Sequence, residues 1–212
     1  MKTEPSDDLH LLERARAGDP TAVNDIFARH RDRLRRMVEL RLDWRLQARV
    51  DASDVIQDAF LDVARRLPAY LEQPGLPLFL WLRLVVAERL CALRRHHLGT
   101  HMRDAGREVS LQGGATPPAS SAALAAQLLG KLTSPTQAAV RAERLLRVQE
   151  ALNALEPIDR EILSLRHCEQ LSRSETAQVL GIQEAAAAQR YVRALKRLRT
   201  VLTEMPGGLE GI

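Results

Sequence analysis

Residues 171–199 read LSRSETAQVLGIQEAAAAQRYVRALKRLR, and this stretch decides the fold of the C-terminal part of the chain. Ser172 and Glu175 have the S-x-x-E spacing of a capping box, which predicts the start of a short helix. Gly181 follows where a tight turn between helices needs a residue that tolerates positive φ. Ile182 then packs inward and a second, longer helix begins. The stretch therefore predicts a helix-turn-helix.

The second of these helices has a buried side and an outer side. Ala187, Tyr191, Ala194 and Leu198 recur at steps of four, three and four residues, so they form one inward stripe. From residue 185 to 200 there are five basic residues and no acid. A helix of this kind enters a DNA major groove; the alternative is an ordinary helical hairpin with a solvated basic face. The outer surface holds Ala185, Ala188, Gln189, Val192, Arg193 and Lys196, with Arg190 and Arg197 on its flank.

The composition of the chain favours helices throughout. Of 212 residues, 45% are hydrophobic but only 3% are aromatic, so the cores must be built from Leu, Val and Ala. Lys and Arg number 31 against 27 Asp and Glu, and this net charge of +4 does not by itself indicate nucleic-acid binding. The polar N-terminus and the lack of an apolar run of about 20 residues argue against a signal peptide and against membrane insertion.

Four helices are predicted in residues 9–103, the third capped by Asp51 or Ser53 and ended by a loop that begins at Pro68. Gly, Pro and Ser then punctuate a linker that holds one short helix, at about residues 122–132. The predicted fold is all-α, with two helical domains, an N-terminal bundle and a C-terminal helix-turn-helix, joined by a flexible linker. The expected boundaries are a disordered N-terminus at 1–8, domains at 9–103 and 139–203, a linker at 104–138 and a tail at 204–212.

The third predicted helix carries a row of acids. Asp51, Asp54, Asp58 and Asp62 follow one another at steps of three and four residues, which places them along one face. Such a row fits a basic partner or a Mg²⁺ site of the kind found in all-α nucleotide hydrolases. The metal site lacks a matching acidic pair on a facing helix, since Glu88 is the only acid between residues 78 and 98. No metal or other cofactor is therefore expected, and no catalytic motif is present.

The fourth predicted helix ends in a basic cluster. Arg89, Arg94 and Arg95 are followed by two histidines, and the helix begins beside a Pro-rich loop and Trp81. Single-stranded nucleic acid is bound by cations together with flat stacking surfaces. This helix is therefore a candidate binding surface for unpaired bases.

Taken together, these features resemble the extracytoplasmic-function group of bacterial RNA polymerase sigma factors over residues 9–202. Residues 11–27 resemble the opening helices of the family, and DVIQDAF at 54–60 resembles its "DVxQExF" segment, which binds the clamp coiled coil of the polymerase β′ subunit. FLWLR at 79–83 resembles the start of the helix that, with the loop before it, reads the promoter −10 element. Residues 155–163 and 175–182 resemble the domain that reads the −35 element.

The resemblance implies three sets of site residues. Core polymerase would be bound by Asp51, Asp54, Val55, Gln57, Asp58, Phe60 and Asp62. The −10 element would be bound by Tyr70, Trp81, Arg83, Arg89, Arg94 and Arg95. The −35 element would be bound by Ser172, Arg173, Gln183, Ala185, Ala188, Gln189, Arg190, Arg193, Lys196 and Arg197.

The resemblance also implies the partners and the place of action. A transcription initiation factor without catalytic residues would bind the β′ clamp and β flap of core RNA polymerase and promoter DNA in the cytoplasm, and an anti-sigma factor could hold it. Two alternatives remain: a helix-turn-helix regulator with a helical effector domain, and a Mg²⁺-dependent nucleotide hydrolase.

This chain departs from the family in its recognition helix. The family often has "TVKSRLxRA", whereas residues 186–194 read AAAQRYVRA, with Ala188 in place of the usual Lys. The resemblance therefore does not determine which promoter sequence this helix would read. Residues 124–135 resemble linkers of a planctomycete-type subgroup.

Overall fold

The computed structural model describes residues 5–98, 109–111, 114–130 and 138–204. The chain divides into two units, one formed by Met1–Val38 with Leu42–Met102 and the other by Glu39–Arg41 with Arg103–Ile212. Helices dominate both units, which confirms the all-α prediction. The strands within the described residues are β1 (Val109–Leu111) and β2 (Gly114–Thr116), a short antiparallel pair that the sequence did not predict.

Where the structure describes it, the first unit is built from four helices. They are α1 (Pro5–Arg16), α2 (Ala22–Arg41, whose last three residues group with the second unit), α3 (Ala52–Glu72) and α4 (Leu78–Leu98). Helix α3 packs along α4, and both contribute aliphatic side chains to the core. The buried residues of this core include Ile26, Leu34, Met37, Val55, Ile56, Val63, Leu82 and Val86.

Two helix ends in this unit differ from the sequence prediction. Helix α1 begins at Pro5, inside the segment expected to be disordered, because Asp7 and Asp8 lie in its first turn and bind Arg29 of α2 at 2.8 and 2.9 Å. Helix α3 continues through Pro68 to Glu72, although the sequence predicted that Pro68 would end it. The buried Tyr70 packs in the helical turn that follows the proline and is part of the continuing helix.

The described residues of the second unit form five α-helices and one π-helical turn. They are α5 (Ser121–Leu129), α6 (Ala138–Asn153), α7 (Pro157–Leu163), the π-helical turn (Ser164–Cys168), α8 (Arg173–Leu180) and α9 (Glu184–Glu204). Helix α9 packs against α6, α7 and α8. The core of this unit includes Val148, Leu152, Ile162, Leu163, Ala177, Ala187 and Ala194.

Part of the segment expected to be a linker is packed in the second unit. Helix α5 falls close to the short helix predicted there, and Ser120 caps it by accepting the Ala123 N–H at 3.4 Å. Leu124 and Ala125 are fully buried in the core, against α6. Residues 116–129 therefore belong to the folded unit. Residues 104–108, 112, 113 and 131–137 of the expected linker, and 205–212 of the expected tail, lie outside the described residues.

The turn between α8 and α9 has the geometry that the sequence predicts. Ser172 accepts the Glu175 N–H at 3.1 Å, and the Glu175 carboxylate accepts the Ser172 N–H at 2.7 Å, which completes the capping box. Gly181 has φ +64° and donates its N–H to Gln178 at 3.2 Å, while Ile182 donates to Ala177 at 3.0 Å. This pair of bonds is a Schellman motif, which closes the C-terminus of α8 and turns the chain into α9.

Replacing Gly181 tests this turn. Because left-handed backbone costs an L-residue about 1–2 kcal/mol, we expect Gly181→Ala to lower the free energy of unfolding by that amount. Gly181→Asn should lose less, since Asn tolerates the left-handed region better. Urea unfolding followed by circular dichroism measures the difference.

Gly75→Ala is the matched control. An added Cβ there meets no atom within 4 Å and the backbone is not left-handed, so its unfolding midpoint should stay close to that of the wild type. Equal unfolding midpoints for Gly181→Ala and Gly75→Ala would contradict the role given to the turn.

Candidate nucleic-acid and partner interfaces

Helix α9 presents the outer surface that the sequence predicted. Ala187 and Ala194 are buried, and Tyr191 and Leu198 pack partly buried against the same core, so the inward stripe is confirmed. The turn at Gly181 leaves the opposite side of α9 facing solvent. The exposed residues there are Ala185, Gln189, Val192, Arg193 and Lys196, with Ala188 half-buried at the edge.

Two of the arginines predicted to bind DNA are held by a buried acid of α7. Asp159 is 2% exposed, and its carboxylate lies 2.9 Å from Nη1 of Arg197 and 3.6 Å from Nη1 of Arg190. The hydrogen bond that Arg197 donates to the Asp159 carboxylate raises the pKa of Arg197, and the second acid beside it, Glu156 at 3.4 Å, acts in the same direction. Arg190 and Arg197 therefore fasten α9 to α7, and Arg193 and Lys196 are the predicted cations of α9 on its outer side. Arg173 of α8 is a further exposed cation of the predicted set.

The ion pairs of Asp159 give a stability prediction. Asp159→Asn leaves the buried site without its charge, so we expect the free energy of unfolding to fall by about 1–3 kcal/mol. Glu156→Gln is the matched control, because that side chain is 61% exposed and faces the same Arg197. Surface ion pairs contribute little, so the control should unfold near the wild-type midpoint in urea. A loss at Glu156 equal to that at Asp159 would contradict a special role for the buried carboxylate.

A cleft of about 180 Å³ lies beside α9, and the sequence analysis did not predict it. The Tyr191 hydroxyl is 2.9 Å from Nε2 of His167, and the guanidinium of Arg166 lies 5.6 Å from the Tyr191 ring centroid. Burial, together with the charge of Arg166, lowers the pKa of His167, so its ring is neutral near pH 7. Tyr191 is thus fixed in place. The cleft is lined by Arg166, Arg173, Thr176, Ala187, Ala188, Tyr191 and Val192.

The acids of α3 are largely occupied by partners within the first unit. Ser53 and Asp54 donate their N–H groups to Asp51 at 2.6 and 2.9 Å, and Asp51 donates its N–H to the Asp54 carboxylate at 3.0 Å, which forms a second capping box. Asp58 pairs with Arg89 of α4, and Asp62 pairs with Arg65 at 2.5 Å. The row is thus partly neutralised and begins with a helix cap.

The predicted polymerase-binding set divides into buried and exposed members. Val55 is fully buried, so it cannot contact a partner on this surface, and Phe60 packs edge-on against Phe27 at 5.3 Å. Gln57 is exposed, and so is Leu61, a residue outside the predicted set that is 55% exposed. Gln57 and Leu61 are therefore the side chains of this face that remain open to a partner.

The residues predicted to bind the −10 element do not form one surface. The rings of Tyr70 and Trp81 stack at 4.4 Å, and the Tyr70 hydroxyl donates to the Leu76 carbonyl at 2.9 Å. Tyr70 is buried, which raises its pKa. Arg83 is 1% exposed, so the prediction that it contacts DNA does not fit its place in the core. Arg94 lies about 20 Å along α4 from Trp81, given the helical rise per residue.

An exposed aromatic residue that the sequence analysis missed lies between α2 and α3. Trp44 is 77% exposed. The pKa of its neighbour Asp43 is lowered by hydrogen bonds from Arg45 and also by the charge of Arg94 of α4. The signal available in the sequence was a tryptophan flanked by Arg45 and Arg49 in a break between two helices.

Two findings for the described residues concern membrane-spanning helices and metal-binding groups. Within 5–98, 109–111, 114–130 and 138–204, no helix is long and apolar enough to cross a membrane. The same residues contain no group of three or more His, Cys, Asp or Glu side chains that could hold a metal ion.

The sequence of this chain is similar to those of known proteins. Residues 145–198, from α6 to α9, match the family model "Sigma-70, region 4". The chain is 29% identical over 189 residues to "ECF RNA polymerase sigma factor SigD" of Mycobacterium tuberculosis (strain ATCC 25618 / H37Rv), covering 89% of this chain and 81% of SigD. It is 27% identical over 194 residues to "RNA polymerase sigma factor CarQ" of Myxococcus xanthus, covering 92% of this chain and 97% of CarQ.

A solved structure shows the same fold. CnrH, solved in complex with the cytosolic domain of CnrY, superposes with a TM-score of 0.53 at 22% identity, over 92% of this chain and 96% of CnrH. None of these relatives bears on the planctomycete-type subgroup, which stays a prediction. The relatives extend along nearly the whole chain, and the region 4 match coincides with the helix-turn-helix. The sequence similarity therefore supports an RNA polymerase sigma factor of the extracytoplasmic-function group, with a sigma-70 region 4 at residues 145–198.

Proposed function

We propose that this sigma factor binds core RNA polymerase through the exposed face of α3 and reads promoter DNA with both units. The observation that carries the proposal is the helix-turn-helix, whose second helix presents Arg193 and Lys196 on a solvent-facing side without a single acid from 185 to 200. A helix of this charge and exposure is suited to the major groove of a −35 element.

The unpaired −10 strand is proposed to bind at the basic end of α4. Arg94, Arg95 and Arg45 supply cations there, and Trp44 supplies an exposed ring. This assignment moves the stacking surface from the Tyr70–Trp81 pair, in which the two rings already cover each other. The chemistry of nucleotide addition belongs to the polymerase, so the sigma factor needs no catalytic residues of its own and acts in the cytoplasm with its partners.

A further protein partner fits this function. CnrH, which shares the fold, was solved with the cytosolic domain of CnrY bound to it. By analogy, we propose that an anti-sigma factor binds this chain and competes with core polymerase for its exposed apolar side chains.

The direct test is transcription in vitro. Core RNA polymerase with the full chain should give run-off products from genomic fragments that core polymerase alone does not transcribe. Tight binding to an operator in the absence of polymerase, with no run-off products, would instead support a helix-turn-helix regulator. Nucleotide hydrolysis that depends on Mg²⁺ would support the enzyme alternative.

The α3 surface gives a specific prediction. Leu61→Arg should weaken core-polymerase binding at least tenfold, because an exposed apolar contact in the centre of an interface is replaced by a charge. Leu9→Arg on α1 is the matched control, since Leu9 is 60% exposed and Leu61 is 55% exposed. Affinity is measured by titrating labelled sigma factor with core polymerase, and circular dichroism checks the fold. Equal affinities for both variants would place the polymerase contact elsewhere.

The role of Trp44 gives another prediction. Trp44→Ala should reduce open-complex formation by holoenzyme by about tenfold, because stacking of one base on an aromatic ring contributes about 1–3 kcal/mol. Trp44→Phe should restore most of the activity, and core-polymerase binding should not change in either variant. Permanganate footprinting of unpaired thymines measures the open complex. If Trp44→Ala opens promoters as well as the wild type does, the ring is not a stacking surface.

A further inference from the structure

The outer side of α9 combines aliphatic side chains with polar ones. Ala185 and Val192 face solvent, Val192 with 48% of its surface exposed, and Ala188 is half-buried between them. Gln189 is the polar side chain among these positions. The N-terminal half of a recognition helix is the part that meets base edges. On its outer side that half offers three aliphatic side chains (Ala185, Ala188 and Val192), the amide of Gln189 and the guanidinium of Arg193.

Packing inside the second unit does not account for Val192. The inward stripe of α9 is formed by other residues, and a β-branched side chain in the middle of an exposed helix lowers helix propensity slightly. Val192 and Ala188 instead line the cleft described above, which Arg173 and Thr176 of α8 also line. The aliphatic surface is thus continuous with a cleft that opens beside cationic side chains.

The spacing of these residues matches successive base pairs. Ala185 and Val192 are seven positions apart, which is about 10 Å along a helix axis. Base pairs of B-DNA are stacked about 3.4 Å apart, so a helix lying along the groove covers about three of them with this surface.

The major groove contains one kind of apolar group at base edges, the 5-methyl group of thymine. A G·C pair placed against Ala185, Ala188 or Val192 would lose water from its N7, O6 and N4 groups without gaining a hydrogen bond. An A·T pair also loses water from three polar groups, N7, N6 and O4, but it gains a contact between its methyl group and the aliphatic side chain. The amide of Gln189 is suited to bind adenine through N6 and N7.

From this geometry we propose that the sigma factor reads A·T pairs in its −35 element through thymine methyl groups, which Ala185, Ala188 and Val192 contact, and through an adenine bound by Gln189. The proposal rests on the proposed function, in which α9 lies in the major groove. It assigns sequence preference to aliphatic side chains, and leaves Arg193 and Lys196 to attract the phosphates.

Deoxyuridine tests the proposal, because it differs from thymine only in lacking the methyl group. Holoenzyme made with the full chain first selects its −35 sequence from a randomised duplex. Each thymine in the selected sequence is then replaced singly by deoxyuridine, and holoenzyme affinity is measured by competition. We expect a loss of about three- to five-fold for each methyl group that is contacted.

Variants assign the contact to a side chain. Val192→Ala should remove the preference for thymine over deoxyuridine at one position and leave it unchanged at the others. Val140→Ala is the matched control, because Val140 of α6 is 46% exposed and Val192 is 48% exposed. The control should keep every thymine preference of the wild type.

Several outcomes would overturn the proposal. These are a selected element without thymine under α9, equal affinity for thymine and deoxyuridine duplexes, or a Val192→Ala loss that is the same on both. The last result would mean that Val192 contacts the sugar–phosphate backbone or another protein. In each of these cases promoter-dependent transcription would persist, whereas the absence of transcription by the holoenzyme would refute the proposed function itself.

Discussion

The left-handed backbone at Gly181 is the constraint on which the recognition surface depends. It closes α8 with two hydrogen bonds and sends the chain into α9 in one direction, with Ile182 returned to the core. Once that direction is set, the small residues Ala187 and Ala194 let α9 lie close to its neighbours. Asp159 of α7 then fixes the helix through Arg190 and Arg197. The residues that α9 presents to solvent are therefore determined by the contacts that hold its inner face.

The tertiary structure divides residues of the same charge into two groups that have different roles. Ion pairs with carboxylates of their own units are formed by Arg89, Arg190 and Arg197, so their charge is partly neutralised within the fold. Arg193 and Lys196 face solvent and can meet phosphates. The acids of α3 divide in the same way, since Asp51 and Asp54 cap the helix before any partner arrives. Counting charges along the sequence therefore overstates the binding surface on both helices.

The first unit shows the corresponding division among aromatic residues. Tyr70 and Trp81 stack on each other and support the end of α3, whereas Trp44 is left outside the core. An aromatic ring can bind a base only if one of its faces is free. The sequence analysis assigned Trp81 to the −10 site because it lies on the same helix as Arg94 and Arg95. Several turns of α4 separate its ring from those cations.

The sequence by itself determined that the chain is helical, that Asp51 or Ser53 caps α3, and that a capping box at Ser172, a turn at Gly181 and an inward stripe on α9 are present. These features depend on residues three or four positions apart, or on the backbone of a single residue, so local physics is enough to predict them. Only the tertiary structure decided that Val55 and Arg83 are buried, that Asp58 meets Arg89, and that Asp159 holds two arginines of α9. Those contacts join residues 31 or more positions apart, or depend on which side of a helix another helix covers, and no local pattern in one sequence specifies them.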